Sequence, residues 1–594
     1  MSGQQGSVRH VPLDLLGRRS AIDSSSTTMV HSPPNKSRLA VALVAVAFVV
    51  LYLAGTSENY IYADDALTFV ADVFHEPRIV VHHLVLVVLH YANAALGFTA
   101  PGDFSKTLWL FKTYVALTSG LALWIVGALA HRWSSSLKVA IASMMFVGFT
   151  YGYWSYSIVP DVYVPAIAFA LAAVFFAERA CHEPRAARAF GLLSVAAVSV
   201  LLSSLNHQSH SLIVAPITLV LLFWARRDTP WKWRIQRAAF FFALTGLLGF
   251  VVFFASYLLS RSEGGFVQYI RGYSAWMKMM PYDKVQLLTP VYAVAGILRT
   301  LAFPEYSLHF DSVYEKVHAH FSLKLLMDER YLVRNFPDPI VALLLAIILV
   351  LVVSVAVLVA LAVRNAWRKP PGSAGFWMVA LWLPVQTLFF GWWEPTSNEF
   401  WIWLMPCLGL LGGGLVMSAA TASRWRATPW VFLAALFVVN VPVVSRYWNA
   451  NDCIYRVNKT YLAHVKSDDL VVSLYFTPIN CLIYLHPNRP PIYERKAHQF
   501  SFDDPALSSE LDKVRTVGGR VFLDPILTMP DETENALIYY QGKARREQVD
   551  AELLKLEAYC RQADIPLYGV TRKGSEIIPF QRRPFGGYLQ WIEG

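Results

Sequence analysis

Charge is scarce in this sequence. Only 15% of its 594 residues are charged, where a soluble domain carries about a quarter. With 55% hydrophobic residues, that shortage excludes water as the solvent for much of the chain's surface. Cysteine is scarce too: five residues are too few for a disulfide scaffold. Cys453, Cys481 and Cys560 fall in the last quarter, and a Cys453–Cys481 bridge is compatible with the sequence, although no motif calls for one. There is no Gly-rich phosphate loop, no metal-type Cys/His cluster and no repeat at half-length of the kind transporters carry. The first apolar run, Arg38 to Gly55, lacks a convincing cleavage site and lies far from the start, so it reads as a signal anchor.

What is present is a series of apolar runs, at 38–55, 105–130, 138–158, 162–178, 189–205, 210–225, 238–260, 338–363, 375–393, 398–418 and 429–446. About 20 apolar residues cross a bilayer as a helix, so the expected fold is α-helical and polytopic, with about eleven spans. The loops between the runs sort by charge. One set holds Arg132, Lys138, Arg179, Arg185, Arg188, Arg226, Arg227, Lys232, Arg234, Arg237, Arg364, Arg368, Lys369, Arg424 and Arg426; the alternate short loops near 159–161, 206–209 and 394–397 hold no Lys or Arg. Basic loops stay in the cytoplasm, which accounts for the net charge of +10 without a nucleic-acid partner. The N-terminus is then inside and the C-terminal tail outside. Ile79 to Phe98 is apolar enough to span, but a span there would turn every basic loop outwards. With His82, His83 and His90 it reads instead as an amphipathic or re-entrant helix at the outer interface.

Three regions follow. Residues 1–37, polar and rich in Ser, Pro and Arg, are expected to be a disordered cytoplasmic tail. Residues 38–446 form the membrane domain, with a first outer loop at 56–104 and a long outer segment at 261–337 that caps it. Residues 447–594 form a soluble α/β domain. Its strands are expected at 469–475, 481–485, 520–523 and 566–570, and its helices at 504–517 and 532–563. Asn458-Lys459-Thr460 is a glycosylation sequon that matters only in a eukaryotic secretory pathway; the short loops favour a bacterial plasma membrane.

Acidic and histidine residues gather on the outer side of this topology: Asp64, Asp65, Asp72, His75, Glu76, His82 and His83 in the first loop, Asp161, then Asn206, His207 and His210, then Glu394, Asn398 and Glu399. Polar groups at a membrane boundary are costly and tend to face a functional cavity. Plainer roles also suit several of them. Asp161 and Asn398 open apolar helices as N-caps, and Glu399 suits a helix dipole. His207 and His210 stand at i, i+3, a spacing that permits a metal without requiring one. Trp392, Trp393, Trp401 and Trp403 fit an interfacial aromatic belt. In an extended loop Asp64 and Asp65 point apart, so one of them suffices to enter a cavity.

An Asp-Asp pair within Tyr62-Ala63-Asp64-Asp65-Ala66, soon after the first of many spans, resembles the GT-C superfamily of membrane glycosyltransferases. More narrowly, it resembles the polyprenyl- or dolichyl-phosphate-sugar-dependent mannosyl- and arabinosyltransferases. The His82-His83 stretch and the turns Ser155–Tyr163 and Glu394–Trp401 are similar to theirs, and some members carry an α/β tail outside the membrane. The resemblance implies an inverting transfer of a sugar from a polyprenyl-phosphate donor to a hydroxyl on a glycan, lipid or protein acceptor. Asp64 would be the base, with Asp65 second. The leaving phosphate needs cations; Lys112 and Lys106, then Arg261 and Arg271, and the His207–His210 pair are the candidates, with His82, His83, Glu394 and Glu399 lining the acceptor side. The resemblance fixes no cofactor, and a divalent metal is compatible with the chemistry. The alternative is a transporter or flippase of a lipid-linked or small solute.

Overall fold

The computed structural model describes residues 35–56, 64–75, 84–100, 104–224, 229–260, 264–279, 287–320, 333, 336–368, 373–421, 427–447, 463–474, 490–495, 499–524, 527, 543–570 and 577–579. Arg261, His82, His83, Cys453, Cys481 and the strand expected at 481–485 lie outside these residues.

The chain begins with α1 (Asn35–Gly55), a helix of Ala, Val and Leu that carries no acid in its first turn. It lies against α4 (Phe104–Ser134) and α5 (Leu137–Phe149) through small residues. A Cβ on Gly120 would stand 2.1 Å from a Val49 methyl, one on Gly127 would meet Met144 and Val41, and one on Gly148 would meet the Phe48 ring. Backbones approach this closely only where side chains are absent, the usual basis of helix association in lipid. Tyr52 then reaches across to donate to the Gly148 carbonyl at 3.1 Å.

Between α1 and α4 lie two short helices, α2 (Asp64–Phe74) and α3 (Val85–Ala95). At 11 residues α3 is too short to span, in keeping with the interfacial reading. Phe69, Val70 and Val73 of α2, Val85, Leu86 and Leu89 of α3, and Leu108, Phe111 and Val115 of α4 form a separate small core. His90 bonds the Val73 carbonyl at 2.9 Å, and Thr107 donates to Asn93 at 2.9 Å, fastening α3 to α2 and to α4. Asp64 and Asp65 open α2, so successive residues there turn by about 100°, not the half-turn of the extended loop expected from sequence.

The centre of the bundle is α7 (Tyr163–His182), alanine-rich and 78% buried along its apolar window. It pairs with α8 (Ala186–Asn206), where Ser203 donates to the Ala166 carbonyl at 2.7 Å. The rim is formed by α10 (Trp231–Leu259) and, after the outer segment, by α14 (Asp338–Arg368), whose apolar windows are only 11% and 17% buried. Helices this apolar and this exposed face lipid. The bundle closes with α15 (Ala374–Trp393), α16 (Leu404–Thr421) and α17 (Thr428–Tyr447). Among the described residues eight helices are long and apolar enough to cross a membrane.

The remaining three of the eleven expected segments are broken helices. Thr150 is extended and divides 138–158 into α5 and α6 (Tyr151–Ile158). The third outer turn runs through a 3₁₀ turn, Gln208–Ile213, into α9 (Val214–Phe223). Another 3₁₀ turn, Glu399–Trp401, precedes α16, which has Pro406 in its first turn. Each break lies at the end of the bundle where polar side chains collect.

The opposite end is tied by one carboxylate. Glu178, 1% exposed, accepts from Trp133 at 2.9 Å and from Ser373 at 2.5 Å, with Arg132 at 3.7 Å. Nearby Arg237 of α10 donates to the carbonyls of Ala180 and Glu183. Tryptophan, serine and two arginines thus hold the ends of α4, α7, α10 and α15 together.

Between α10 and α14 lie α11 (Phe266–Met279), α12 (Thr289–Leu301), a 3₁₀ turn at Pro304–His309 and α13 (Asp311–His320). The C-terminal part holds a five-stranded sheet, ordered β2-β1-β3-β4-β5. Its strands are β1 (Leu470–Leu474), β2 (Ile492–Arg495), β3 (Val521–Leu523), β4 (Leu567–Val570) and β5 (Ile577–Pro579). All pairings are parallel except β4–β5, which is antiparallel. Helices α18 (Pro505–Val517) and α19 (Lys543–Gln562) bury Leu507, Leu511, Val514, Val549, Leu553 and Leu556 against one face, with Leu470, Val472 and Leu474. β2 and β5, the two edges of the sheet, fall where no strand was expected: β2 reads Ile-Tyr-Glu-Arg and β5 ends in Pro579, so neither shows the apolar run that marks β1, β3 and β4.

Candidate functional site

Lys112 sits about two turns inside α4 and is 1% exposed, beside the small α2–α3–α4 core. An ammonium is rarely buried this fully without a compensating partner. Two residues on, Tyr114 donates to the Asn206 side chain at 2.8 Å, joining α4 to the end of α8. Asn206 in turn donates to the Leu202 carbonyl at 2.9 Å, which fixes its amide. From there the chain enters the third outer turn. His207 shares a 2.6 Å hydrogen bond with Ser209 and packs against Tyr163, ring centres 4.9 Å apart. His210 is 1% exposed, its ring 5.9 Å from His207 and close to Trp382 and Phe390. Its Nδ1 has no hydrogen-bond partner among the described residues.

Tyr163 begins α7. Just before it, Asp161, 1% exposed, accepts from the Val162 and Tyr163 backbone N–H groups at 2.5 and 2.9 Å. This does the work of an N-cap from one position earlier than expected, since Val162 is the cap residue. Asn398 is the cap of its 3₁₀ turn, but its side chain makes no capping bond. Tyr163 also touches Tyr156 and Phe400, and Tyr156 donates to Glu399 at 3.3 Å. Glu394 caps the end of α15, its backbone out of the helical region, and is half-buried.

From above, α12 reaches this turn. Arg299, 5% exposed, pairs with Glu305 and donates to the Thr396 carbonyl at 2.8 Å. Thr300 donates to the Asn398 carbonyl at 2.9 Å. Gly296 lets α12 settle here: a Cβ would stand 2.4 Å from the Pro395 carbonyl and 2.5 Å from the Trp401 indole nitrogen. Tyr114, Tyr156, Arg299 and Glu305 were not singled out from sequence. A lone Arg in an otherwise apolar 13-residue helix, with a Glu six residues on, was the available signal.

The structure therefore gathers Asn206, His207, His210, Asp161 and Glu399, with Lys112 close in sequence to the Tyr114 link. Lys106 is apart from the buried group: it is exposed, its ammonium 5.7 Å from the Phe98 ring centre. Arg271 is exposed on α11. Asp64 and Asp65 are described here as positions on α2 alone. Among the described residues no three His, Cys, Asp or Glu converge as a metal would need. Chemically, the group offers a buried cation, two imidazoles, two carboxylates and tyrosine hydroxyls at one end of the bundle.

No protein-family model and no curated protein matches the chain. Solved structures do. The oligosaccharyltransferase of Archaeoglobus fulgidus, tethered to an acceptor peptide, aligns with 86% of this chain and 71% of its own at 11% identity and a TM-score of 0.50. ArnT from Cupriavidus metallidurans, bound to undecaprenyl phosphate, aligns over 80% and 87% at 11% identity, with a TM-score of 0.47. The S. cerevisiae protein O-mannosyltransferase complex bound to the sugar donor covers 39% of this chain and 34% of its own at 18% identity, TM-score 0.33. The chain shares the multi-helix fold of the Archaeoglobus fulgidus oligosaccharyltransferase.

Proposed function

We propose that this protein is an inverting glycosyltransferase that moves a sugar from a polyprenyl-phosphate donor to a hydroxyl acceptor at the extracytoplasmic face of a plasma membrane. The observation that carries the reading is the run of buried and half-buried polar side chains from Tyr114 through Asn206, His207, Tyr163, Tyr156 and Glu399 to Arg299, on a fold shared with an oligosaccharyltransferase. An apolar bundle does not bury such groups at one end without a use for them.

In this reading Asp64 takes the proton of the acceptor hydroxyl, with Asp65 beside it. Lys112 stabilises the departing lipid phosphate, assisted by His207 and His210 and by Lys106, Arg261 and Arg271 at the rim. His82, His83, Glu394 and Glu399 line the acceptor side. Direct attack with one base inverts the anomeric carbon. The chain crosses the membrane eleven times, counting the three broken helices, with residues 1–37 in the cytoplasm and 447–594 as an α/β domain outside. Its partners are the lipid-linked sugar, the acceptor and the bilayer.

The test is transfer by purified protein in detergent, with a panel of radiolabelled polyprenyl-phosphate sugars and Asp64→Asn alongside. General-base catalysis contributes about 10²–10⁴-fold, so the variant should lose at least about 100-fold in turnover at an unchanged melting temperature. Retained turnover removes Asp64 from that role. No turnover with any donor, together with saturable flux of a solute in liposomes, favours the transporter alternative.

A further inference from the structure

The face of α12 opposite Arg299 is apolar and open. Val291, Val294 and Leu298 recur at i, i+3 and i+7, one stripe of a helix, and are 55%, 56% and 39% exposed; Leu287, in the turn that leads into the helix, is 96% exposed. The other face is fixed: Gly296 is against Pro395 and Trp401, Arg299 donates to Thr396, and Thr300 donates to Asn398. Thirteen residues cannot cross a bilayer. Nor does the helix stand away from the bundle. It leads into the Pro304–His309 turn, where Tyr306 packs on Phe336 at 5.9 Å and His309 meets Asp338 at 2.8 Å, at the start of α14. Just along α14, Ile340 and Leu343 are 43% and 60% exposed, continuing the apolar surface on a membrane span.

We infer that α12 lies flat in the membrane interface, its stripe among the hydrocarbon chains of the adjoining leaflet, while its polar face holds the Glu394–Trp401 turn. The occupant is bulk lipid. A short helix with one apolar face is the form that lies in a membrane rather than crossing it. Removing the helix from lipid would slacken its polar face, and Arg299 and Thr300 would lose their hold on Thr396 and Asn398. The membrane surface itself thereby keeps Glu399 in place. The inference does not depend on the reaction proposed above.

The full chain in phosphatidylcholine nanodiscs, spin-labelled singly at 289, 291, 294, 295 and 298, tests it. Labels at 291, 294 and 298 should respond to oxygen more than to a water-soluble nickel chelate, at one common depth. The label at 289 should respond to nickel. Nickel access along the stripe overturns the inference. So does exclusion of both reagents with label–label coupling, which would mean that a second copy of the chain covers the stripe. The second arm is hydrogen exchange of 394–401 in Val294→Asp. Exchange there should rise about tenfold as local opening becomes easier, with α7 unchanged. Unchanged exchange at 394–401 overturns the hold on the turn.

Discussion

Asn440 shows what a single polar residue does in an apolar span. It is 0% exposed on α17, donates to the Phe149 and Leu301 carbonyls at 2.8 and 3.2 Å, and accepts from the Phe303 N–H at 3.2 Å. Those partners lie at the α5–α6 break and at the end of α12, where backbone groups have left their helices and must find bonds elsewhere. Asn440→Leu keeps the volume and removes all three bonds. Each backbone group left unmet costs about 1–3 kcal/mol, so the apparent melting temperature in detergent should fall clearly, and α12 should exchange faster. An unchanged melting temperature would mean that water supplies those bonds. The sequence showed Asn440 only as a polar residue inside an apolar run. Its partners are 139 and 291 residues away, and nothing local announces them. The same holds for Tyr114 and Asn206, separated by 92 residues. By contrast Asp161, Asn206, His207, His210 and Glu399 were legible, because polar residues in short turns between spans mark one boundary.

At the level of elements, helices with a strong internal pattern were legible and breaks were not. Hydropathy summed over 20 residues cannot register one extended residue such as Thr150. In the C-terminal sheet β1, β3 and β4 are central and almost wholly apolar, whereas β2 at the edge reads Ile-Tyr-Glu-Arg. That edge and its two helices are fastened by charge. Burial pushes the Asp504 carboxyl up, but the Ala506 N–H, the Tyr493 hydroxyl and Arg495 outweigh it and hold it below the usual carboxylate range. Burial likewise opposes Glu552, and Lys555, the Phe502 N–H and Ser501 bring it below. A folded carboxylate with a lowered pKa adds stability that is complete above the unfolded value. That stability is lost as pH falls through the folded one. The window therefore opens below about pH 4, the ordinary carboxylate range. Hydrogen exchange of α18 and α19, corrected for its intrinsic pH dependence, should accelerate on going from about pH 5 to pH 3. Asp504→Asn should flatten that response for α18. An equal response in wild type and variant would place the acid sensitivity elsewhere.

For the molecule as a whole, the two ends of the bundle differ in kind, and that difference predicts its orientation. One end has Glu178 gripped by Trp133 and Ser373, with Arg132 and Arg237 beside it; the other has Asn206, His207, Asp161, Glu399 and Arg299. Each of α4, α7, α8 and α15 has one terminus in each group, so the two groups are separated by the length of the spans. Among the described residues, the basic Arg132, Lys138, Arg179, Arg185, Arg188 and Arg237 belong with Glu178. If positive loops remain inside, the Glu178 end is cytoplasmic and the polar turns face out. Single cysteines in a cysteine-free chain, labelled in intact cells with a membrane-impermeant maleimide, test this. Glu183→Cys and Ser136→Cys should label only after the membrane is opened. Glu394→Cys and Asp468→Cys should label at once. The mirror-image result would invert the topology and move the site to the cytoplasmic face, where a lipid-linked donor would have to be met from inside. Labelling of Glu394 and Asp468 from opposite sides would mean that one of the last two helices does not cross, and that the tail and the turn do not share a compartment.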